Sequence, residues 1–158
     1  MESDEFRKIL VPYDGSQYSK KATRKAIVIA KKFNSKIFLI TVVSKDEIPP
    51  PNELLGVYKS DKKLQREVHR VACAIRIELK KILQRWVDIC NSKGIDADYN
   101  ILEGNPIERI LEFSKKQKLD LIIMGSHGLT GLSKIKALGS VSRGISELAK
   151  CPVMIVRN

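Results

Sequence analysis

Met124-Gly125-Ser126-His127-Gly128, separated from Gly139-Ser140 by the ten residues Leu129 to Leu138, is the part of this chain best suited to chemistry. It follows the apolar run Leu119-Asp120-Leu121-Ile122-Ile123, which reads as a buried strand. Glycines just past a strand leave backbone N–H groups uncovered by side chains, so a phosphate can approach closely. Gly139-Ser140 opens a candidate helix, Val141 to Lys150, whose N-terminus adds free donors and a favourable dipole. The chemistry implied is anion binding. Catalysis asks for more, and the chain has only one other histidine, His69, on a different segment. No Ser-His-Asp set, paired carboxylates or metal-spaced cluster is evident. His127 is therefore expected to shape the backbone or face solvent.

The elements that must hold these residues follow from periodicity. Arg7 to Tyr13 and Lys36 to Val43 are apolar, β-branched runs that read as buried strands. Between them, Ala22, Ala26, Ile29, Ala30 and Phe33 recur at helical spacing over Gln17 to Phe33. Ser44 to Tyr58 contains Pro49-Pro50-Pro51 and is expected to be an exposed loop. Leu64, Val68, Val71, Ile75, Leu79, Ile82, Trp86 and Ile89 then advance by three or four, predicting one long amphipathic helix. Asn91 to Gly94 stops it, with Gly94 suited to a left-handed C-terminal position. Ile95 to Leu102 is a weaker third strand. Asn105-Pro106, with Glu108 three after the Asn, is a helix start, and that helix runs to about Lys116. Leu119 to Met124, Ser140 to Lys150 and Pro152 to Val156 complete a β-α-β-α-β-α-β-α-β order.

Continuous apolar strands alternating with helices predict a doubly wound parallel sheet covered on both faces, in one domain spanning 1–158. Hydrophobic residues make up 43% of the chain, which argues against disorder. No apolar run approaches the roughly 18 residues of a membrane span, and the acidic, polar start MESDEFRK is not expected to be a secretory signal. Cys73, Cys90 and Cys151 lack CxxC spacing and are expected to be free, packed thiols in a reducing, cytoplasmic setting. The net charge of +11 raises the question of nucleic acid. The lysines are scattered over polar helix faces without interleaved aromatics, so a solvated basic surface is expected instead.

In such sheets ligands bind at the carboxyl ends of strands, where the strand order reverses. Pro12-Tyr13-Asp14 ends strand one, Val42-Val43 ends strand two, and the glycine stretch ends strand four. If strands one and four are central neighbours, these segments line one crevice.

The chain resembles the universal stress protein family over nearly its whole length. The resemblance is carried by Lys8-Ile9-Leu10-Val11-Pro12-Tyr13-Asp14-Gly15-Ser16, Glu103-Gly104-Asn105-Pro106, Met124 to Gly128, Gly139-Ser140-Val141-Ser142 and the ending Cys151-Pro152-Val153-Met154-Ile155-Val156. It implies a Rossmann-like, adenine nucleotide alpha hydrolase-like fold with five parallel strands in the order 3-2-1-4-5. It also implies ATP or AMP as ligand, with any Mg2+ entering through the nucleotide phosphates only. The family's motif is Gly, two residues, Gly, nine residues, Gly, then Ser or Thr. Gly125, Gly128, Gly139 and Ser140 match its residue types, but the long spacer here has ten residues.

By this resemblance the contacts expected are Pro12, Tyr13, Asp14, Val42, Met124, Gly125, His127, Gly128, Gly139, Ser140, Val141 and Ser142. Asp14 would accept from ribose hydroxyls or the adenine amino group, or cap the next helix. Val42 would present its main chain to the adenine edge. Gly125 and Gly128 would give room for ribose and phosphate, and Ser140 and Ser142 would meet phosphate. Lys134 and Lys136 are expected to be solvated. A homodimer through the edge strand Pro152 to Val156 is implied as well. A slow ATPase or phosphotransfer enzyme, and a nucleotide-free interaction protein, remain the alternatives.

Overall fold

A computed structural model describes residues 6–43, 59–129 and 138–157. The elements are β1 (Lys8–Pro12), α1 (Gln17–Phe33), β2 (Lys36–Val43), α2 (Lys62–Ser92), β3 (Ala97–Glu103), α3 (Pro106–Gln117), β4 (Leu121–Gly125), α4 (Ser140–Leu148) and β5 (Val153–Val156). The strands form one sheet in the order β3-β2-β1-β4-β5, and every pairing is parallel. This is the order and fold class expected above. The loop Ser44 to Tyr58 and the spacer lysines Lys134 and Lys136 fall outside the described residues.

Two-residue alternation along β1 shows why its sequence is apolar throughout. Ile9 and Val11 face one side, where they meet Ala22, Ala26 and Ala30 of α1 and Leu83, Val87 and Cys90 of α2. Leu10 faces the other, among Phe38, Ile122, Ile110 and Phe113 of α3, and Ile145 of α4. Ile9, Leu10, Val11, Ile122 and Ile123 are fully buried, as a central parallel strand requires. Small alanines on α1 let that helix lie close to the sheet.

The helix starts are set by polar caps. Ser16 Oγ accepts from Ser19 N–H at 3.0 Å, and Asn105 Oδ1 accepts from the N–H groups of Ile107 and Glu108. Pro106 occupies the first turn of α3, where no N–H is needed. Gly94 takes the left-handed conformation, with φ +74°, just past the end of α2.

The long helix departs from the expected packing. Its buried side chains are Leu83, Val87 and Cys90, and the predicted Ile82 and Trp86 pack partly buried against the same core. Val71, Ile75 and Ile89 are exposed. The predicted stripe runs the length of the helix, but only the C-terminal part lies over the sheet, and there the buried side chains pack with Ile37, Leu39 and Ala97. The cysteines are likewise unequal: Cys90 is buried, Cys151 half-buried, and Cys73 exposed on α2 rather than packed. Among the described residues no helix is long and apolar enough to cross a membrane.

Candidate functional site

β1 and β4 are central neighbours, so the ends of β1, β2 and β4 converge. There, with the N-terminus of α4, they enclose a cleft of ≈ 540 Å³ lined by every residue of the expected contact set. Sheet order is the cause, because the strand order reverses its direction between β1 and β4 and opens a crevice that no crossover covers.

On the β1 side, Asp14 is exposed and splits its carboxylate between two tasks. Oδ1 accepts from Ser16 N–H at 2.9 Å and braces the entry to α1. Oδ2 faces Gly128, where a Cβ would stand only 2.8 Å away. Tyr13 borders the cleft with its main chain, while its ring packs in the α1 and α2 core against Trp86, centroids 6.2 Å apart. Tyr13 N–H donates to Ile40 C=O at 2.7 Å, and its own C=O accepts from Thr41 Oγ1 at 2.7 Å. Since the Ile40 carbonyl points toward β1, alternation directs the main-chain groups of Val42 to that same side, past the end of β1. The Val42 side chain joins the α3 and α4 core.

On the β4 side the two glycines do different jobs. Gly125 is the last residue of β4, and a Cβ there would lie 2.5 Å from Tyr18 Cβ and 2.8 Å from the Tyr18 carbonyl carbon. Its small size is demanded by α1 crossing the strand end. Gly128 is the glycine whose open face looks into the cleft, toward Asp14. Neither has a positive φ, so a tight turn is not what requires them.

The turn between these glycines and α4 is firmly tied. The Ser126 carbonyl accepts from Gly139 N–H at 2.9 Å and from Ser142 Oγ at 2.8 Å, while Ser126 N–H donates to Val156 C=O at 3.0 Å. The Ser142 hydroxyl is thus committed to structure, leaving its main-chain N–H for a ligand. Gly139 is the N-cap of α4 and supplies no side chain to its first turn. The opening N–H groups at Ser140, Val141 and Ser142 therefore form an uncapped helix N-terminus facing the cleft, suited to an anion. Ser140 itself is exposed and stands inside the helix rather than at its cap.

His127 is half-buried rather than solvent-facing. Its Nδ1 lies 3.0 Å from Ser126 Oγ, its ring is tilted against Tyr18 with centroids 5.3 Å apart, and Nε2 is buried without a partner among the described residues. No group of three His, Cys, Asp or Glu side chains gathers among the described residues. Sequence reasoning missed Ser19, Ile40, Pro106, Ile110 and Leu129 as lining residues. Pro106 and Ile110 arrive because α3 starts beside the end of β2. The helix-start motif at Asn105 was visible in the sequence, but its neighbour was set only by strand order.

This arrangement is an anion-accepting helix terminus facing a carboxylate across an apolar floor. The family model for the universal stress protein family matches residues 5–157, and the chain belongs to that family. It is 36% identical over 156 residues to Universal stress protein MJ0531 of Methanocaldococcus jannaschii, covering 96% of this chain and 82% of that one. Among solved structures it is similar to MJ0577 of the same organism, with TM-score 0.77 and 25% identity, covering 98% of this chain and 97% of the other. It shares its fold with the universal stress protein of Archaeoglobus fulgidus solved in complex with dAMP. That match has TM-score 0.62 and 17% identity over 96% of this chain and 98% of the other.

Proposed function

We propose that the cleft binds an adenine nucleotide, ATP or AMP, and that its occupancy works as a switch or sensor in a stress response rather than in efficient catalysis. The observation that carries this reading is the pairing of an uncapped α4 N-terminus with Asp14 Oδ2, which has no partner among the described residues, across Gly128. Adenine enters between the side chains of Val42 and Met124, with the Val42 main chain at its edge. Asp14 Oδ2 accepts from the ribose hydroxyls. The N–H groups of Ser140, Val141 and Ser142 receive phosphate, and any Mg2+ arrives with the phosphates. The dAMP held by the Archaeoglobus relative is the same class of ligand.

Magnitudes favour binding over turnover. An anion at a helix N-terminus is worth about 0.3–1 kcal/mol, rising to about 2 when partly buried. A few such contacts plus a packed adenine reach the roughly 8 kcal/mol of micromolar affinity. Phosphoryl transfer needs charge stabilisation on the moving group, commonly from metal and a basic side chain. Among the described residues, the charged side chain lining the cleft is an acid, Asp14.

The test is to denature the purified protein and identify any released nucleotide by mass spectrometry, then repeat after loading with ATP or AMP. Recovery of adenine nucleotide near one per chain supports the reading, and none after loading with millimolar nucleotide refutes it. The ten-residue spacer favours a second reading, a nucleotide-free interaction protein of the same fold, which that second outcome would select. Phosphate release above a no-protein control, lost in Asp14→Ala and Gly128→Val, would instead select a slow ATPase. The expected assembly is a cytoplasmic homodimer through β5.

A further inference from the structure

A second concavity, of ≈ 730 Å³, lies between α1 and α2 on the opposite side of Trp86 from Tyr13's strand, and it takes no part in the nucleotide cleft. Its floor is Ile27, Val28, Trp86 and Ile89, and its rim is Arg24, Lys31, Lys32 and Lys93. Val28 is 65% exposed and Ile89 40%, so these two side chains stand open to solvent beside the buried Ile27. Among the described residues, none of the four cations is in an ion pair. No carboxylate among the described residues lines the groove either. α1 contains no acidic residue at all. On α2 the nearby acid, Asp88, accepts from Gln84 and lies about 200° around the helix from Trp86.

Lys31, Lys32 and Lys93 suit helix C-termini, where cations complement the dipole. That effect leaves Arg24, in the body of α1, and the exposed Val28 and Ile89 unexplained. Arg24 to Lys32 spans about 12 Å of helix and Trp86 to Lys93 about 10 Å, so the groove takes roughly two turns of a partner helix. Apolar anchors one turn apart would fill the floor while flanking acids meet the rim. A membrane surface is too flat to fill a concave groove, and nucleic acid gains nothing from its apolar floor.

We propose that the α1–α2 groove is a docking site for an acidic amphipathic helix of a partner protein. The proposal stands independently of the nucleotide reading. Trp86 is the only tryptophan in the chain and lies in the groove, so its emission reports occupancy directly.

The experiment titrates the full chain, free of added nucleotide, with a short helical peptide carrying leucines along one face and glutamates on both flanks. Expected is a saturable blue shift of Trp86 emission. It should weaken at least tenfold in Arg24→Glu/Lys32→Glu and in Val28→Asp, both at exposed or rim positions that leave the circular dichroism unchanged. The double charge reversal should in turn bind the peptide made with lysines in place of glutamates. No shift at millimolar peptide, or equal binding by wild type and the charge-reversed protein, overturns the proposal. So does a Trp86 shift given only by phosphatidylserine vesicles or only by duplex DNA.

Discussion

Gly125 and Gly128 belong to one sequence motif yet answer to different physics, and substitution separates them. Gly128→Val would drive a side chain against Asp14 Oδ2 at the cleft wall, the nearest atom among the described residues. We expect nucleotide affinity to fall at least tenfold with little change in melting temperature, measured by calorimetric titration and thermal denaturation. Gly125→Ala would push into the Tyr18 backbone, which cannot yield as a flexible side chain can. Overpacking of this kind costs about 1–3 kcal/mol, read as a lowered urea midpoint.

The thiols offer a second check at this scale. Burial raises the Cys90 thiol from 9.0 to about 11, while Cys73 is exposed. Brief alkylation of the native protein at pH 8 should label Cys73 and spare Cys90, as peptide mapping would show. Because the fold favours the neutral Cys90 thiol, its contribution to stability is intact below pH 9 and declines between pH 9 and 11. The raised Lys36, hydrogen-bonded and charge-paired to Asp98 and Asp96, loses its contribution in alkali too, as pH climbs past 10.5 through its higher folded value. A melting temperature that rises from pH 9 to 11 would contradict the Cys90 assignment.

At the scale of elements, the strands and short helices were legible because their signals are local. A continuous apolar run and an Asn-Pro start each act within one strand or one turn. The long helix α2 was legible in extent but not in contacts, since periodicity gives a stripe without saying how much of it the sheet is long enough to cover. Leu83→Ala should cost about 2–5 kcal/mol, as a large buried side chain does. Ile75→Ala, at a position 43% exposed, should change stability by less than 1 kcal/mol. Equal losses in denaturant titrations would show that the predicted stripe, not the observed register, describes the helix. The role of Gly125 was hidden for a related reason, because its constraint comes from Tyr18, which is distant in sequence and adjacent only once α1 lies on β4.

At the scale of the molecule, the crevice exists because β1 and β4 are neighbours from which the chain winds in opposite directions. Sequence supplied the three strand ends and the resemblance supplied their order; neither could supply the start of α3 as a wall of the same cleft. The sheet also ends on β5, whose Met154 is 38% exposed. An unpaired edge of this kind invites strand pairing or side-by-side association. We expect light scattering after size exclusion to give a dimer at micromolar concentration, and Met154→Lys to shift it toward monomer. A monomeric wild type would remove β5 as an interface.

The central claim is that the cleft between Asp14, Gly128 and the α4 N-terminus is an adenine-nucleotide site, and calorimetric titration of nucleotide-stripped protein with ATP and with AMP tests it most directly. The account predicts saturable binding near one nucleotide per chain with a micromolar Kd for at least one of the two, lost in Gly128→Val. No heat and no thermal stabilisation with either nucleotide at millimolar concentration, or binding that survives Gly128→Val unchanged, would contradict it.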